Sequence, residues 1–302
     1  MTERRALVSG ATGFIGSRLC GCLAAAGWRV AALVRPGRSV DDADEMLEST
    51  AGASGLCRFF RRFRPDAVFH LAACAREQTP GDVGDVIACN ISLGAQILEA
   101  MARSGIRNMI NTGSSWQNAD PDRAEYSPNT LYAASKQAFE AIIEYYAAVR
   151  GLRAVTLRLF DTYGEGDGRR KFLNAALAAV DAGEPLGMTP GDQEIDLVHV
   201  DDVCQAFLRA FALVSREDAP PHAVYGVSSG ERIRLRELAE RIGRVTGGKA
   251  DFRFGARPYR KHEVMFARRH YEPLPGWKPS VGLDEGLERF FLRRSLPGGQ
   301  GE

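Results

Sequence analysis

The amino-acid sequence predicts an α/β fold, in which a doubly wound parallel sheet carries a smaller mixed α/β lobe. Its 302 residues are enough for one large domain with such a lobe. Short apolar runs alternate with helical stretches, and a glycine-rich turn joins the first run to the first helix. Buried parallel strands need helical crossovers, so this alternation is typical of a doubly wound sheet.

The first strand is predicted at Ala6–Ser9, and the first helix runs from Phe14 to Ala26, before Gly27. Between Arg35 and Pro65 no regular strand–helix unit is evident, because Ser39–Leu56 is polar and rich in small residues. A third strand is therefore expected to be short or missing there. The further predicted strands are Trp28–Val34, Ala67–Ala73, Arg107–Thr112 and Ala154–Phe160, with helices near Ile91–Arg103 and Leu131–Val149.

The regular pattern ends after Tyr163, where the glycine-rich and charged loop Gly164–Arg170 begins. We predict a dinucleotide-binding domain formed by residues 1–163 plus 194–229. Residues 164–193 plus 230–302 are predicted to form a substrate lobe. The tail Pro297–Glu302 is expected to be disordered.

The composition argues against several classes of function. The net charge is +1, so nucleic acid and membrane partners are not expected. The six cysteines follow no zinc-ligand spacing, so no metal site is expected, and free thiols fit a reducing cytoplasmic location. The chain enters its first strand directly, and no apolar run approaches 18 residues, so neither a signal peptide nor a membrane span is expected.

The turn after the first strand has the spacing G-x-x-G-x-x-G, at Gly10, Gly13 and Gly16. Glycine permits a tight turn, a close approach of backbone to a pyrophosphate, and close packing of helix on sheet. The helix N-terminus that follows offers N–H groups and a positive dipole end to phosphates. The turn therefore predicts a dinucleotide site, with Thr12, Phe14 and Ile15 as further contacts.

The residues after the second strand indicate which dinucleotide is bound. An acidic residue there would accept a hydrogen bond from the ribose 2′-hydroxyl of NAD. The segment Val34–Ser39 contains no acid, whereas Arg35, Arg38 and the Ser39 hydroxyl could hold a 2′-phosphate. These residues favour NADP(H), although arginine is so common in this chain that surface positions would explain them too.

Tyr132 and Lys136 are the only tyrosine and lysine in the chain at this four-residue spacing. Residues four apart share a helix face, and a cation beside a phenol lowers the pKa of a tyrosine. The pair therefore predicts proton transfer at neutral pH. Ser114 and Ser115 follow the strand at Arg107–Thr112, and a hydroxyl at a strand end could hydrogen-bond a substrate carbonyl. An ordinary turn role is equally compatible with either serine.

These residues together resemble the extended short-chain dehydrogenase/reductase family of Rossmann-fold enzymes. That family includes UDP-galactose 4-epimerase, nucleotide-sugar 4,6-dehydratases and 4-ketoreductases. The resemblance implies that Tyr132 transfers the proton, that Lys136 binds nicotinamide ribose, and that Ser114 orients the substrate oxygen. It also implies a homodimer. The resemblance also implies that Leu71, Ala72, Ala73 and Asn90 contact the cofactor. The motifs that carry the resemblance are Gly10–Gly16, His70-Leu71-Ala72-Ala73, Asn90, Ser114, Tyr132-x-x-x-Lys136, Leu159–Gly164, Val198–Val203 and Leu274–Pro279.

Departures from the family pattern narrow the activity. Dehydratases carry Asp-Glu after the catalytic hydroxyl, where this chain has Ser115 and Trp116, so dehydration is disfavoured. The usual Asn and Arg of the nucleotide site are Asp161 and Ile195, which puts the standard diphosphate contacts in doubt. The resemblance is strongest to CDP-abequose synthase-like 4-ketoreductases. The implied substrate-binding residues are Ser115, Asp161, Lys171, Arg257 and Arg260, the last three from the basic clusters Arg169–Lys171 and Arg257–Lys261.

The resulting hypothesis is NADPH-dependent reduction of the C4 ketone of a dTDP- or CDP-linked 4-keto-6-deoxy or dideoxy hexose, in deoxysugar biosynthesis. A 4-epimerase that keeps NAD bound is one alternative, and it would favour an acid after the second strand. A non-catalytic dinucleotide sensor is another, and such proteins commonly lack the Tyr–Lys pair.

Overall fold

The computed structural model describes residues 3–75, 79, 81–118, 120, 126–260, 263–268 and 270–292. Lys261 of the second basic cluster and the tail Pro297–Glu302 lie outside these residues.

Twelve strands and nine α-helices are found within the described residues. The strands are β1 (Arg5–Ser9), β2 (Arg29–Val34), β3 (Glu45–Glu48), β4 (Ala67–His70), β5 (Asn108–Ser114), β6 (Arg153–Leu159), β7 (Asp161–Tyr163), β8 (Leu186–Gly187), β9 (Glu194–His199), β10 (His222–Val227), β11 (Arg232–Arg234) and β12 (Phe252–Arg253). The α-helices are α1 (Phe14–Ala25), α2 (Gly52–Phe63), α3 (Asp82–Ile87), α4 (Leu93–Ser104), α5 (Leu131–Arg150), α6 (Phe172–Ala182), α7 (Val200–Val214), α8 (Leu235–Val245) and α9 (Leu283–Leu292).

The main sheet has the order β10-β6-β5-β4-β1-β2-β3 in the described part of the chain. All its neighbouring strands are parallel. The chain moves outward from β1 in both directions, with helices as crossovers, so the predicted doubly wound α/β fold is confirmed. The carboxyl ends of β1, β4, β5 and β6 therefore share one edge, where ligands bind in such sheets.

A third strand does exist where the sequence showed no regular unit. β3 pairs with β2 at the sheet edge, and its residues alternate between half-buried and exposed. An edge strand buries little surface, so it leaves a weak hydrophobic signal. The following helix α2 is amphipathic and contributes Phe59, Phe60 and Phe63 to the core between itself, α4 and α5.

One helical stretch, Asp82–Ser104, is long and apolar enough by composition to span a membrane, with a mean hydropathy of 1.2. It comprises α3, the π-helical segment Ala88–Ser92 and α4. Ile97, Leu98 and Met101 of this stretch pack into the core with residues of α2 and α5. Core helices of globular domains meet the same criterion, and this packing accounts for the apolar composition.

The chain divides into two compact units, Met1–Phe160 with Val203–Val227 and Arg268–Lys278, and Asp161–Asp202 with Ser228–Ala267 and Pro279–Glu302. The predicted boundaries differ in four places, two of which, residues 161–163 and 228–229, are shifts of two or three residues into the second unit. β9 pairs with β7 and β11, so residues 194–202 group with the second unit rather than with the main sheet. Residues 268–278 group with the first unit, where the Gly226 N–H of β10 donates to the Glu272 carbonyl at 2.7 Å.

The second unit has its own apolar core. It contains a three-stranded sheet, β11-β9-β7, and the pair β12-β8. Leu238 of α8, Leu287 of α9 and Tyr163 of β7 pack together in this core. Ile195, which stands where the family has an arginine, is packed against the same core, so its side chain serves stability rather than anion binding.

Candidate active site

The glycine-rich turn forms a cradle that side chains would fill. Gly10 has φ +71°, and a Cβ there would lie 2.6 Å from the backbone nitrogen of Ala72. A Cβ on Gly16 would overlap the Gly10 carbonyl. Gly13 is the N-cap of α1, with no capping side chain and no acidic residue in the first turn of the helix. The protein thus leaves the positive end of this helix dipole uncompensated, which fits a dinucleotide diphosphate.

A cavity of about 270 Å³ lies beside this turn. It brings together Thr12, Arg38 and Ser39, all predicted cofactor residues. Arg35 is exposed and does not line this cavity. Sequence reasoning missed Asp41 and Asp42, which line the same cavity and place two carboxylates near the predicted 2′-phosphate site. Asp41 and Asp42 lie only two and three residues beyond Ser39, so their closeness to Ser39 in the sequence is the one signal that could have indicated them.

Helix α5 carries the Tyr–Lys pair in its first turns. Thr130 caps the helix, its hydroxyl accepting a hydrogen bond from the Ala133 N–H at 3.1 Å. Lys136 is only 2% exposed. Burial lowers the pKa of Lys136 to about 8, against the opposing influence of Cys89 and Glu140. An ammonium held at this depth is suited to stabilise a nearby phenolate.

Asn90 lies in the π-helical segment and is 1% exposed. Its amide bonds both the N–H and the carbonyl of Cys74, at 2.7 and 2.8 Å, and donates to the Ser135 hydroxyl at 2.8 Å. Ser135 also donates to the carbonyl of Tyr132. In this structure Asn90 therefore tethers the segment after β4 to the first turn of α5, and its contact with the cofactor stays a prediction.

Ser114 ends β5 and is 8% exposed. Its hydroxyl accepts a hydrogen bond from the Trp116 N–H at 3.2 Å, and its own N–H donates to the Gln117 amide oxygen at 2.8 Å. This capping box fixes Ser114 at the start of the 3₁₀ turn Ser115–Gln117. Ser115 lines a neighbouring cavity of about 210 Å³ with Arg158, Phe160, Val224, Tyr225, Gly226, Arg268, His270, Tyr271 and Glu272.

Of the predicted substrate residues in the second unit, two form an ion pair with each other and two are exposed. Lys171 forms an ion pair with Asp161, with 2.9 Å between Nζ and Oδ1, and both side chains remain about a third exposed. Arg257 and Arg260 are exposed. Arg169, from the same basic cluster as Lys171, binds Asp167 and the Thr162 carbonyl, so it holds its own loop.

The two buried histidines have structural partners. The Nδ1 atom of His70 lies 2.7 Å from the Ser9 hydroxyl, and burial, with a smaller contribution from Lys136, lowers the pKa of His70 to about 3. His70 is thus neutral at physiological pH. His199 lies 3.0 Å from Glu165 through its Nε2 atom. Across the described residues, no group of three or more His, Cys, Asp or Glu side chains could hold a metal ion.

Comparison with known proteins agrees with this arrangement. A sequence model described as the NAD dependent epimerase/dehydratase family matches residues 6–226. The chain belongs to this family. The match covers the glycine-rich turn, the Tyr–Lys helix and β10, so the predicted family membership is confirmed.

Relatives within the family include both a synthase and an epimerase. CDP-abequose synthase of Salmonella typhimurium is 27% identical over 305 residues, covering 95% of this chain and 97% of its own length. UDP-glucose 4-epimerase of Mycolicibacterium smegmatis is 29% identical over 321 residues, covering 96% and 99%. The solved structure of MoeE5 in complex with UDP-glucuronic acid and NAD superposes with a TM-score of 0.83 at 26% identity, covering 97% of this chain and 100% of that one. The chain is thus similar over nearly its full length both to a CDP-abequose synthase and to a UDP-glucose 4-epimerase of this family.

Proposed function

We propose that this enzyme reduces the C4 ketone of a dTDP- or CDP-linked 4-keto-6-deoxy or dideoxy hexose with NADPH. The observation that carries the proposal is the buried Lys136 one helical turn from Tyr132 on α5. Ser114, fixed by its capping box at the end of β5, supplies the hydroxyl. The similarity to CDP-abequose synthase over nearly the full chain supports the same reaction class.

Tyr132, Ser114 and Lys136 each have a separate role in the proposed reaction. A nicotinamide dinucleotide held at the glycine-rich turn would supply the hydride. Tyr132 donates its phenolic proton to the C4 oxygen as negative charge develops there, and Ser114 hydrogen-bonds the same oxygen. Lys136 stabilises the resulting phenolate and would hold the nicotinamide ribose. Because Lys136 is buried, its charge acts through a low dielectric and is more effective than in water.

NADP(H) is the proposed cofactor because no acid follows β2 directly and Arg35, Arg38 and Ser39 are available for the 2′-phosphate. One observation favours the alternative, a 4-epimerase with tightly held NAD. Asp41 and Asp42 line the cavity that contains Arg38 and Ser39, and a carboxylate is the usual partner of the NAD ribose. The similarity to a UDP-glucose 4-epimerase is compatible with this second candidate.

One experiment separates the two activities. The purified enzyme is incubated with NADPH and either dTDP- or CDP-linked 4-keto-6-deoxy sugars, and the product is identified by NMR. Stoichiometric loss of NADPH with formation of a C4 alcohol is expected. Interconversion of UDP-glucose and UDP-galactose without net consumption of nicotinamide would instead establish the epimerase.

The exposed basic residues of the second unit are proposed to bind the diphosphate. Lys171→Ala and Arg257→Ala are each expected to raise KM for the nucleotide sugar by about tenfold, since each removes a charge-assisted hydrogen bond. NADPH affinity should not change, and kcat should change little if the lost interaction is equal in ground and transition states. Steady-state kinetics measure both. Lys249→Ala, at an exposed position of the same unit, is the control, and unchanged KM in both test variants would place the diphosphate elsewhere.

We further propose a cytoplasmic homodimer, from the family resemblance. Tyr145 and Val149 of α5 are 52% and 63% exposed, so this helix presents apolar surface that a second copy could cover. The molar mass in solution, measured by light scattering, tests this proposal.

A further inference from the structure

A buried polar cluster lies between β5, β6 and α5. It is formed by Gln117, Asn118, Gln137, Glu140 and Arg158, and we call it the Glu140 cluster. Glu140 is 1% exposed, and Arg158 pairs with it through two contacts, Nη2 to Oε2 at 2.6 Å and Nε to Oε1 at 3.2 Å. The guanidinium also donates to Gln137 at 3.1 Å and to Asn118 at 3.3 Å. A buried carboxylate is costly unless it is paired and hydrogen-bonded, and these contacts meet that requirement.

The cluster is joined directly to Ser114. The Gln117 amide nitrogen donates to Glu140 at 2.8 Å and to Gln137 at 2.9 Å. Its amide oxygen accepts the Ser114 N–H at 2.8 Å. The side chain of Gln117 is thereby fixed at both ends, between α5 and the end of β5. Gln117 therefore links the end of β5, which is itself paired with β6 through Ser114 and Leu159, to two residues of α5.

The same cluster is joined to the Tyr–Lys pair through the helix. Tyr132, Lys136 and Glu140 are spaced four residues apart, so they lie along one face of α5. The cluster packs closely over the backbone of β5, because a Cβ on Gly113 would lie 2.9 Å from the Gln117 oxygen and 3.0 Å from the Glu140 oxygen. The cluster therefore connects the serine and the tyrosine through short contacts on a rigid helix.

We propose that Glu140, with Arg158 and Gln117, is a positioning residue that sets Ser114 against Tyr132. This inference rests on the proposed function, because it assigns Ser114 and Tyr132 to the reaction.

Lys136 has several titratable neighbours, and those that affect its charge oppose the effect of burial. Glu140 from its own helix and Cys89 from the π-helical segment both favour the ammonium form. His70 of β4 also interacts with it but is neutral. Among these, Glu140 is the carboxylate, so its removal should shift the titration of Lys136 to lower pH.

The test begins with Glu140→Gln, which keeps the side-chain size and removes the charge. We expect kcat to fall by about tenfold or more, with KM and the Kd for NADPH within about twofold, because the lost interaction acts on geometry in the transition state. The alkaline limb of the kcat–pH profile should move to lower pH, since Lys136 loses its proton more easily. Glu144→Gln, an exposed position one turn further along α5, is the matched control and should change neither quantity.

A second variant separates positioning from mere stability. Glu140→Gln leaves the Arg158 charge buried without its carboxylate, which could unfold the protein. The double variant Glu140→Gln with Arg158→Met removes both charges, so its thermal stability should recover toward that of the wild type. We expect kcat and the alkaline limb to remain shifted in the double variant. Recovery of both along with stability would overturn the proposal.

The last measurement does not depend on the substrate. Amide hydrogen exchange of residues 111–118 should be faster in the double variant than in the wild type, while peptides from β1 and β2 should exchange unchanged. Unchanged exchange at 111–118 would overturn the positioning role. If exchange changes as expected and the wild type reduces no 4-keto sugar, the proposed substrate is wrong and the positioning role stands.

Discussion

Replacing Tyr132 by Phe is expected to lower kcat for ketone reduction by about 10²–10⁴-fold, the usual contribution of a positioned general acid. The substitution removes one oxygen atom and keeps the ring. Lys136 and the glycine-rich turn are unaffected, so NADPH should bind with its wild-type Kd to within about twofold. Stopped-flow or steady-state loss of NADPH absorbance measures turnover, and fluorescence titration measures binding.

Tyr145→Phe provides the matched control for this experiment. Tyr145 lies on the same helix and is 52% exposed, so loss of its hydroxyl should leave turnover unchanged. If Tyr132→Phe retains more than about a tenth of wild-type kcat, another group donates the proton, and the assignment of Tyr132 is wrong.

Arg35→Asp is expected to weaken NADPH binding by about 100-fold while changing the Kd for NADH by less than about threefold. The substitution removes a charge-assisted hydrogen bond to the 2′-phosphate and places a carboxylate next to it, and at this exposed position the two effects together are worth roughly 3 kcal/mol. NADH lacks this phosphate, and an acid after β2 suits its ribose hydroxyls. Titration of both dinucleotides measures the change in preference.

Arg61→Asp is the control for the change of net charge. Arg61 is exposed on α2, away from the glycine-rich turn in the sequence, and its reversal should affect neither dinucleotide. Equal weakening of NADPH and NADH by Arg35→Asp, or no weakening, would reject the role of Arg35. Tighter binding of NADH than NADPH by the wild type would favour Asp41 or Asp42 as the ribose partner.

Two ion pairs of the structure could not be predicted from the sequence. The Lys171–Asp161 pair and the Glu140–Arg158 pair join residues 10 and 18 positions apart in different elements. Such pairs depend on how strands and helices pack, and a chain with 34 arginines among its 39 basic residues gives no sign of which are paired. Asp41 and Asp42 stand several residues beyond the end of β2, where the usual position of a ribose-binding acid gives no reason to expect them, and only the folding of the chain brings them to the cavity.

The sequence by itself determined the parallel α/β fold, the glycine-rich turn and the Tyr132–Lys136 spacing, because these follow from local periodicity and from the backbone freedom of glycine. Only the tertiary structure decided that β3 forms the sheet edge and that residues 194–202 belong with the second unit. It alone decided that Lys136 is buried with a lowered pKa and that Asn90 and Gln117 tie neighbouring segments to α5. Burial and hydrogen-bond partners arise from contacts between segments distant in the chain, which no local pattern of residues specifies.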